Sequence, residues 1–455
     1  MKKLTAVKIA FSIAVSLLFI SCQKDFNSKK SQLQDDLTKN ANGNDHGHLK
    51  QTKTFSSDVV TSWIRMQMQM QKTPLPPGTA GQANDRCQVY CGLALYESVV
   101  GGMPAYQSLH GQLTDFPEMP STEPGKAYHW AACANAALAE MNRRLFPTTA
   151  DANKVDMTNL ENSWKDIFAT QTTDAILQRS IAYGKEVAKR VFMWAATDGS
   201  ANVNPPYVPP VGPGLWVPTA PTPPAGAYTY QRRLIVPGSN NNTELEPPPP
   251  FSTTPGSPFW NMVNEVYTVS QTLTPEQKAI ADYFKDAPGF APGGTYVAVL
   301  VQALELTKPT LDMAAVTYAK VGLAQHDATI VLFTDKYHFN LIRPITYIQS
   351  YIQPGWPTYI PTPNHPEFPS GHSTTGGGAL GMMSLIFGDN FHITLHTYDY
   401  LNYPARSYTS FSQMLREISY SRLYGGLHYY ATLVKSEAQG KKVAQNIWEK
   451  VKFQK

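Results

Sequence analysis

Three short segments in the C-terminal half of this chain concentrate the residues that could do chemistry. The first is Lys336-Tyr-His-Phe-Asn-Leu-Ile-Arg343-Pro344. Seven residues is close to two helical turns, so a helix here would project Lys336 and Arg343 from one face, and Pro344 would end it beside Arg343. Two such cations in an apolar context repel each other unless an anion lies between them; taken alone, the pair also reads as a solvated face. The second segment is Pro369-Ser370-Gly371-His372-Ser373, followed by a run rich in glycine and alanine to Phe387. A tight turn into a helix N-terminus aims backbone N–H groups at an anion. Gly371 lets a ligand approach the backbone, Ser370 adds a hydroxyl donor and His372 adds a titratable group. The third is Ser421-Arg422-Leu-Tyr-Gly-Gly-Leu-His428. On an unbroken helix Arg422 and His428 would point roughly 120° apart. Gly425-Gly426 can break the helix and turn both inward, although close packing would also account for the glycines.

Together the segments supply three cations, two histidines, a hydroxyl and backbone donors, with no carboxylate in any motif core. A divalent metal would want acidic ligands, so the set suits a tetrahedral oxyanion of the phosphate type. The order and spacing K-x6-RP, PSGH and SR-x5-H closely resemble the vanadium-dependent haloperoxidases and the type 2 phosphatidic acid phosphatases, one superfamily with a shared pocket. The flanking stretches GLWVPTAPTPP, LTPEQKAIADYFKDAPG, HDATI, DKYHFNLIRPITYI, HPEFPSGHS and RSYTSFSQMLREISYSRLYGGLHY carry the resemblance across roughly residues 55 to 455, on the haloperoxidase side.

The resemblance implies vanadate as cofactor and hydrogen peroxide with a halide as substrates. It implies His428 as the vanadium ligand, with Lys336, Arg343 and Arg422 neutralising the vanadate oxygens and Ser370 and the Gly371 N–H donating to them. His372 would act as acid and base, and Lys336 would polarise the peroxide. In the phosphatase version no cofactor is needed; His428 is the nucleophile toward a phosphate ester and His372 protonates the leaving alcohol. Position 365, seven before His372, holds histidine in members resembling bromoperoxidases and Phe in chloroperoxidases, so His365 points to bromide or iodide. Phe333 stands where haloperoxidases usually have Trp, and Ile342 replaces another frequent aromatic. Thr432, four after His428, stands where the family commonly has Asp, which removes a carboxylate expected behind the histidine.

The elements that must position these residues are mainly α. The expected architecture is a large helical bundle of two packed halves with an ordered Pro-rich connecting belt. Residues 55–200 form the N-terminal helical domain, with helical spacing over Arg86–Val100, Ala127–Leu145 and within Leu160–Thr197. Residues 201–258 form the belt: they hold many of the 36 prolines and are not regular helix, while Tyr207, Trp216, Tyr228 and Tyr230 argue for order rather than a floppy linker. Residues 259–455 form the catalytic bundle, with a capped helix opening at Thr274-Pro275 and helices over Thr295–Leu306, Leu311–Phe333 and Met414–Lys452. Strand signals are short and confined to loops such as Phe391–Tyr400.

The start of the chain reads as a lipoprotein signal over residues 1–21. Lys2 and Lys3 precede an apolar Ile9–Ile20, too short to span, and Cys22 is the candidate lipidated residue, followed by a polar tether over residues 22–54. This predicts a protein of a Gram-negative cell envelope, facing the periplasm or the cell surface, whose membrane contact is the anchor alone. Cys87, Cys91 and Cys133 remain, read as buried core thiols; His46 and His48 on the tether are a weak metal signal. With 16% charged residues and a formal charge of +4, nothing suggests nucleic acid as a partner. Nothing speaks against a homo-oligomer. Competing readings are a non-enzymatic oxyanion binder and a glycan-binding lipoprotein, neither of which needs three motifs in order.

Overall fold

The computed structural model describes residues 50–73, 84–286 and 294–455. The signal segment, Cys22, His46 and His48 lie outside the described residues. The last tether residues pack on the body: Thr52 is buried and donates to the Val99 carbonyl at 2.7 Å, and the Lys50 carbonyl accepts from Trp130 Nε1 at 2.8 Å.

Thirteen helices are described. The N-terminal half contributes α1 (Asp58–Lys72), α2 (Asn84–Val99), α3 (Trp130–Leu145), α4 (Asp151–Ala169) and α5 (Asp174–Ala195). The expected helical stretch Leu160–Thr197 is thus the end of α4 and all of α5, parted at Thr170–Thr173, where Thr173 caps α5 through its side chain. The C-terminal half contributes α6 (Pro258–Gln271), α7 (Pro275–Tyr283), α8 (Gly294–Thr307), α9 (Leu311–Phe339), α10 (Pro344–Tyr351), α11 (Gly371–Phe387), α12 (Phe411–Tyr424) and α13 (Tyr430–Lys450). Strands β1 (Ile393–Leu395) and β2 (Arg406–Tyr408) pair antiparallel with Ile393 opposite Tyr408; β1 lies inside the stretch where a short strand was expected, and β2 beyond it. Thr274 and Gln277 form a capping box on α7, with Pro275 at its first position. No described helix is long and apolar enough to cross a membrane.

The larger of two apolar clusters runs through both halves, from Val59 to Phe453. Its axis is α9, which packs on α2 on one side and on α11 on the other. Helix α11 is in turn clasped by α13, and the clasp is close: a Cβ on Gly440 of α13 would lie 2.0 Å from the Thr374 carbonyl of α11. Only glycine fits there, so the N-terminal end of α11 is held against the middle of α13. Cys87, Cys91 and Cys133 are free and buried.

The belt is ordered. Gly214 accepts from Ile342 N at 2.9 Å, and Trp216, fully buried, donates its N–H to Asn340 O at 2.7 Å. It therefore zips along the segment that separates α9 from α10.

That segment corrects one expectation. Lys336 and Arg343 do not share a helix face. Helix α9 ends at Phe339, where Asn340 adopts a left-handed conformation, and Arg343 is the N-cap residue of α10. Pro344 starts a helix instead of ending one, because its missing N–H costs nothing at a first helical position.

Candidate active site

The three motifs arrive at one place by three different backbone devices. Lys336 reaches inward from the last turn of α9 and is fully buried. Its ammonium donates to the carbonyls of Pro366 at 2.8 Å and Glu367 at 3.1 Å, and to that of Pro369. Burial and the neighbouring Arg343 push its pKa well below the ordinary value. Three carbonyl acceptors nevertheless require three N–H donors, which only the charged form has.

Arg343, also fully buried, is a hub. Its Nε donates to His365 O at 2.9 Å, one terminal nitrogen donates to Leu427 O at 3.0 Å and lies 3.2 Å from His428 Nε2, and the other lies 2.9 Å from His365 Nδ1. Burial and Arg422 pull it down to about 10, against the opposing charge of Glu367. Ser370 is the buried N-cap of α11; its Oγ accepts from Ser373 N at 3.4 Å, and Gly371 and His372 open the helix. Above Gly371 there is room: a Cβ there would meet nothing nearer than Leu332 at 3.7 Å.

Between Arg422 and His428 the chain breaks as the glycines suggest. Helix α12 ends at Tyr424, Gly426 takes a φ of 79°, which side chains resist, and α13 begins at Tyr430. Both side chains turn into the core. Arg422 donates to Phe284 O at 2.8 Å, while its buried Nε has no partner.

Two carboxylates join this cluster that no motif core announced. Asp286 Oδ2 sits 3.2 Å from His372 Nε2. Glu367 is fully buried, and its Oε1 is 2.8 Å from His428 Nδ1. Asp286 left no local signal, since it follows α7, far along the chain from every motif. Glu367 lies inside HPEFPSGHS, but an acid three positions before Ser370 means nothing until His428 folds against it. The side chains grade outward: Lys336 and Glu367 are sealed, while His372 and Asp286 are 19% and 21% exposed, so the cluster opens to solvent on their side.

The electrostatics follow from this crowding. Burial first, then the surrounding cations, drive His428 and His365 well below the ordinary imidazole value. Burial and Arg422 lower His372, opposed by Asp286. Asp286 is held below the usual carboxylate range because His372 and Arg422 outweigh its burial. Burial lifts Glu367 to about 7, opposed by Arg343 and Lys336. The sequence-predicted halide positions also meet: His365 and Phe333 pack edge to face with ring centroids 5.8 Å apart. Gly226 of the belt lies directly on the Phe333 ring, since a Cβ there would fall 2.3 Å from it.

The helical bundle that carries this cluster has known counterparts in fold. Residues 352–454 match the family model of the VCPO second helical-bundle domain. A bacterial vanadium-dependent iodoperoxidase structure superposes with a TM-score of 0.77 at 27% identity, covering 88% of this chain and 97% of its own. The chain is similar in sequence and fold to the vanadium-dependent haloperoxidases. Two structures of bacterial vanadium-dependent chloroperoxidase share the haloperoxidase fold. The apo type has a TM-score of 0.62 at 17% identity, covering 83% of this chain and 96% of its own. The holo type has 0.59 at 16%, covering 91% and 96%. No curated protein sequence matches the chain.

The residues present fit the vanadate of the haloperoxidase family. Three buried cations face two carboxylates, leaving one positive charge uncompensated, and the Arg422 Nε is an orphaned buried donor. Among the described residues no group of His, Cys, Asp and Glu could hold a bare metal ion. An oxyanion supplies the charge and acceptors this cluster lacks.

Proposed function

We propose that the protein is a vanadate-dependent haloperoxidase that oxidises bromide or iodide with hydrogen peroxide to hypohalous acid equivalents. The observation that carries this reading is a neutral His428 whose Nε2 lone pair faces a cluster of three buried cations. Bound vanadate would supply a Lewis-acidic centre that makes peroxide electrophilic toward halide. Lys336, Arg343 and Arg422 would hold its charge, with Ser370 Oγ and the Gly371 N–H as donors and His428 Nε2 as ligand. His372, on the open side, takes up and returns a proton at its ring as peroxide enters, and Asp286 stabilises the imidazolium that results. His365, in the place associated with bromoperoxidases, supports bromide or iodide over chloride.

The test is a side-by-side assay of the purified protein with and without orthovanadate, using a diketone probe, peroxide and each halide. Halogenation that needs vanadate and disappears in His428→Ala supports the proposal. Phosphate release from a simple ester without vanadate, and no halogenation, would replace it with the phosphatase reading. The basic start, the apolar Ile9–Ile20 and Cys22 support export and lipid anchoring; Cys22→Ser should free the protein from the membrane fraction.

A further inference from the structure

We infer that Glu367 is a positioning residue that fixes the tautomer of His428 and takes over the task that position 432 performs elsewhere in the family. The inference rests on the oxyanion-pocket reading above, and its logic is hydrogen-bond bookkeeping at one ring. A guanidinium has no acceptor, so the Arg343 nitrogen 3.2 Å from His428 Nε2 must be donating to it. Nε2 therefore carries the lone pair, and the single ring proton of the neutral imidazole sits on Nδ1. Nδ1 is 2.8 Å from Glu367 Oε1, which accepts that proton's hydrogen bond. This is the tautomer that a ligand to vanadium at Nε2 requires.

The rest of the carboxylate is spoken for in the same direction. Oε1 also accepts from Tyr429 N at 3.1 Å, and Oε2 accepts from Thr432 Oγ1 at 3.0 Å. Glu367 N in turn donates to Leu341 O at 2.9 Å, which ties the acid's backbone to the segment before Arg343. Three donors converge on this side chain: the His428 ring N–H, the Tyr429 backbone N–H and the Thr432 hydroxyl. Where relatives carry Asp at 432, this chain carries a hydroxyl aimed at an acid that approaches from another loop. Acids at both 367 and 432 would put like charges in contact inside the core, so Thr432 follows from Glu367 and is not a defect of the site.

This exchange makes a reciprocal prediction. Isothermal titration of the purified protein with orthovanadate gives the affinity, and two-bond 1H–15N spectra of 15N-histidine-labelled, vanadate-free protein give the His428 tautomer, assigned through loss of its signal in His428→Gln. Glu367→Ala should weaken vanadate binding on the order of 10- to 100-fold and let the His428 proton move to Nε2. Glu367→Gln, which keeps an acceptor without the charge and guards against misfolding of the alanine variant, should fall between. Thr432→Asp alone should weaken binding, whereas Glu367→Ala with Thr432→Asp should recover most of the affinity and the Nδ1–H tautomer. Wild-type affinity in both Glu367 variants, an unchanged tautomer in Glu367→Ala, or a double variant no better than Glu367→Ala would overturn the inference while leaving the haloperoxidase reading intact. Absence of vanadate binding in the wild-type protein would instead remove the reading on which it rests.

Discussion

At the scale of single residues, the site is a problem of keeping like charges together. Lys336, Arg343 and Arg422 are buried side by side, and each is pulled toward its neutral form by burial. Such an arrangement is tolerable only with anions present, and Asp286 is the one that faces solvent with His372. Asp286→Asn removes the charge that raises the His372 pKa, so that pKa should fall further. The acidic limb of the kcat profile then moves to lower pH, and kcat drops on the order of 100-fold while vanadate affinity changes less; steady-state rates across pH with vanadate titrations check both. His365 offers a second residue-scale test. Its Nδ1 accepts from Arg343 and its ring meets Phe333, so His365→Phe should shift the ratio of iodide to bromide turnover and leave vanadate affinity within a few-fold. The motif residues were legible in sequence because their chemistry is written in their identities. Asp286 and Glu367 were not, because a carboxylate has no meaning until its partner is placed beside it, and folding alone does that.

At the scale of elements, what the sequence hid was mostly breaks. Periodicity shows that Leu311 onward is helical, but Lys336 and Arg343 at helical spacing look continuous, and only Asn340 with its left-handed backbone reveals two helices. Pro344 is compatible with an end or a beginning, and the belt pairing with Leu341 and Ile342 decides for the beginning. The break at Gly425-Gly426 was legible because glycine pairs state their purpose locally. A cap that no sequence rule singled out is His129, whose Nδ1 accepts from Ala132 N at 3.2 Å while Nε2 meets Gln171 at 3.0 Å. Burial pulls its pKa down to about 4, so the folded state holds it neutral while the unfolded chain titrates near 6.5. Its contribution is complete above that unfolded value and is lost as pH falls from about 6.5 toward 4, amounting to about 3 kcal/mol. His129→Asn keeps a cap acceptor without the titration, so denaturant unfolding at several pH values should show a shallower loss over that window than in the wild-type protein.

At the scale of the whole molecule, the belt is the part whose role the sequence left open, since prolines exclude helix without saying what they wrap. The structure gives it a target. Asn364, next to His365, accepts from Thr219 N at 2.9 Å and donates to Thr222 O at 2.6 Å through its side chain, and its carbonyl accepts from Ala225 N at 3.0 Å. Thr219 Oγ1 adds a bond to Pro363 O at 3.1 Å, and Tyr337 OH holds Ala225 O from the other side at 2.6 Å. The belt is thereby pinned over Phe333 and His365, the side of the cluster proposed to meet halide. Asn364→Ala removes the two side-chain bonds and keeps the backbone one, a local cost of about 1–3 kcal/mol. Limited proteolysis of the native protein should then cut faster within residues 216–231, and the KM for halide should rise several-fold. Vanadate affinity should stay within about 2-fold, because no residue of the cationic cluster bonds to Asn364 and independent sites add. A parallel loss of vanadate binding would mean that the belt supports the whole pocket and not one wall of it, through the two bonds that Arg343 makes to His365.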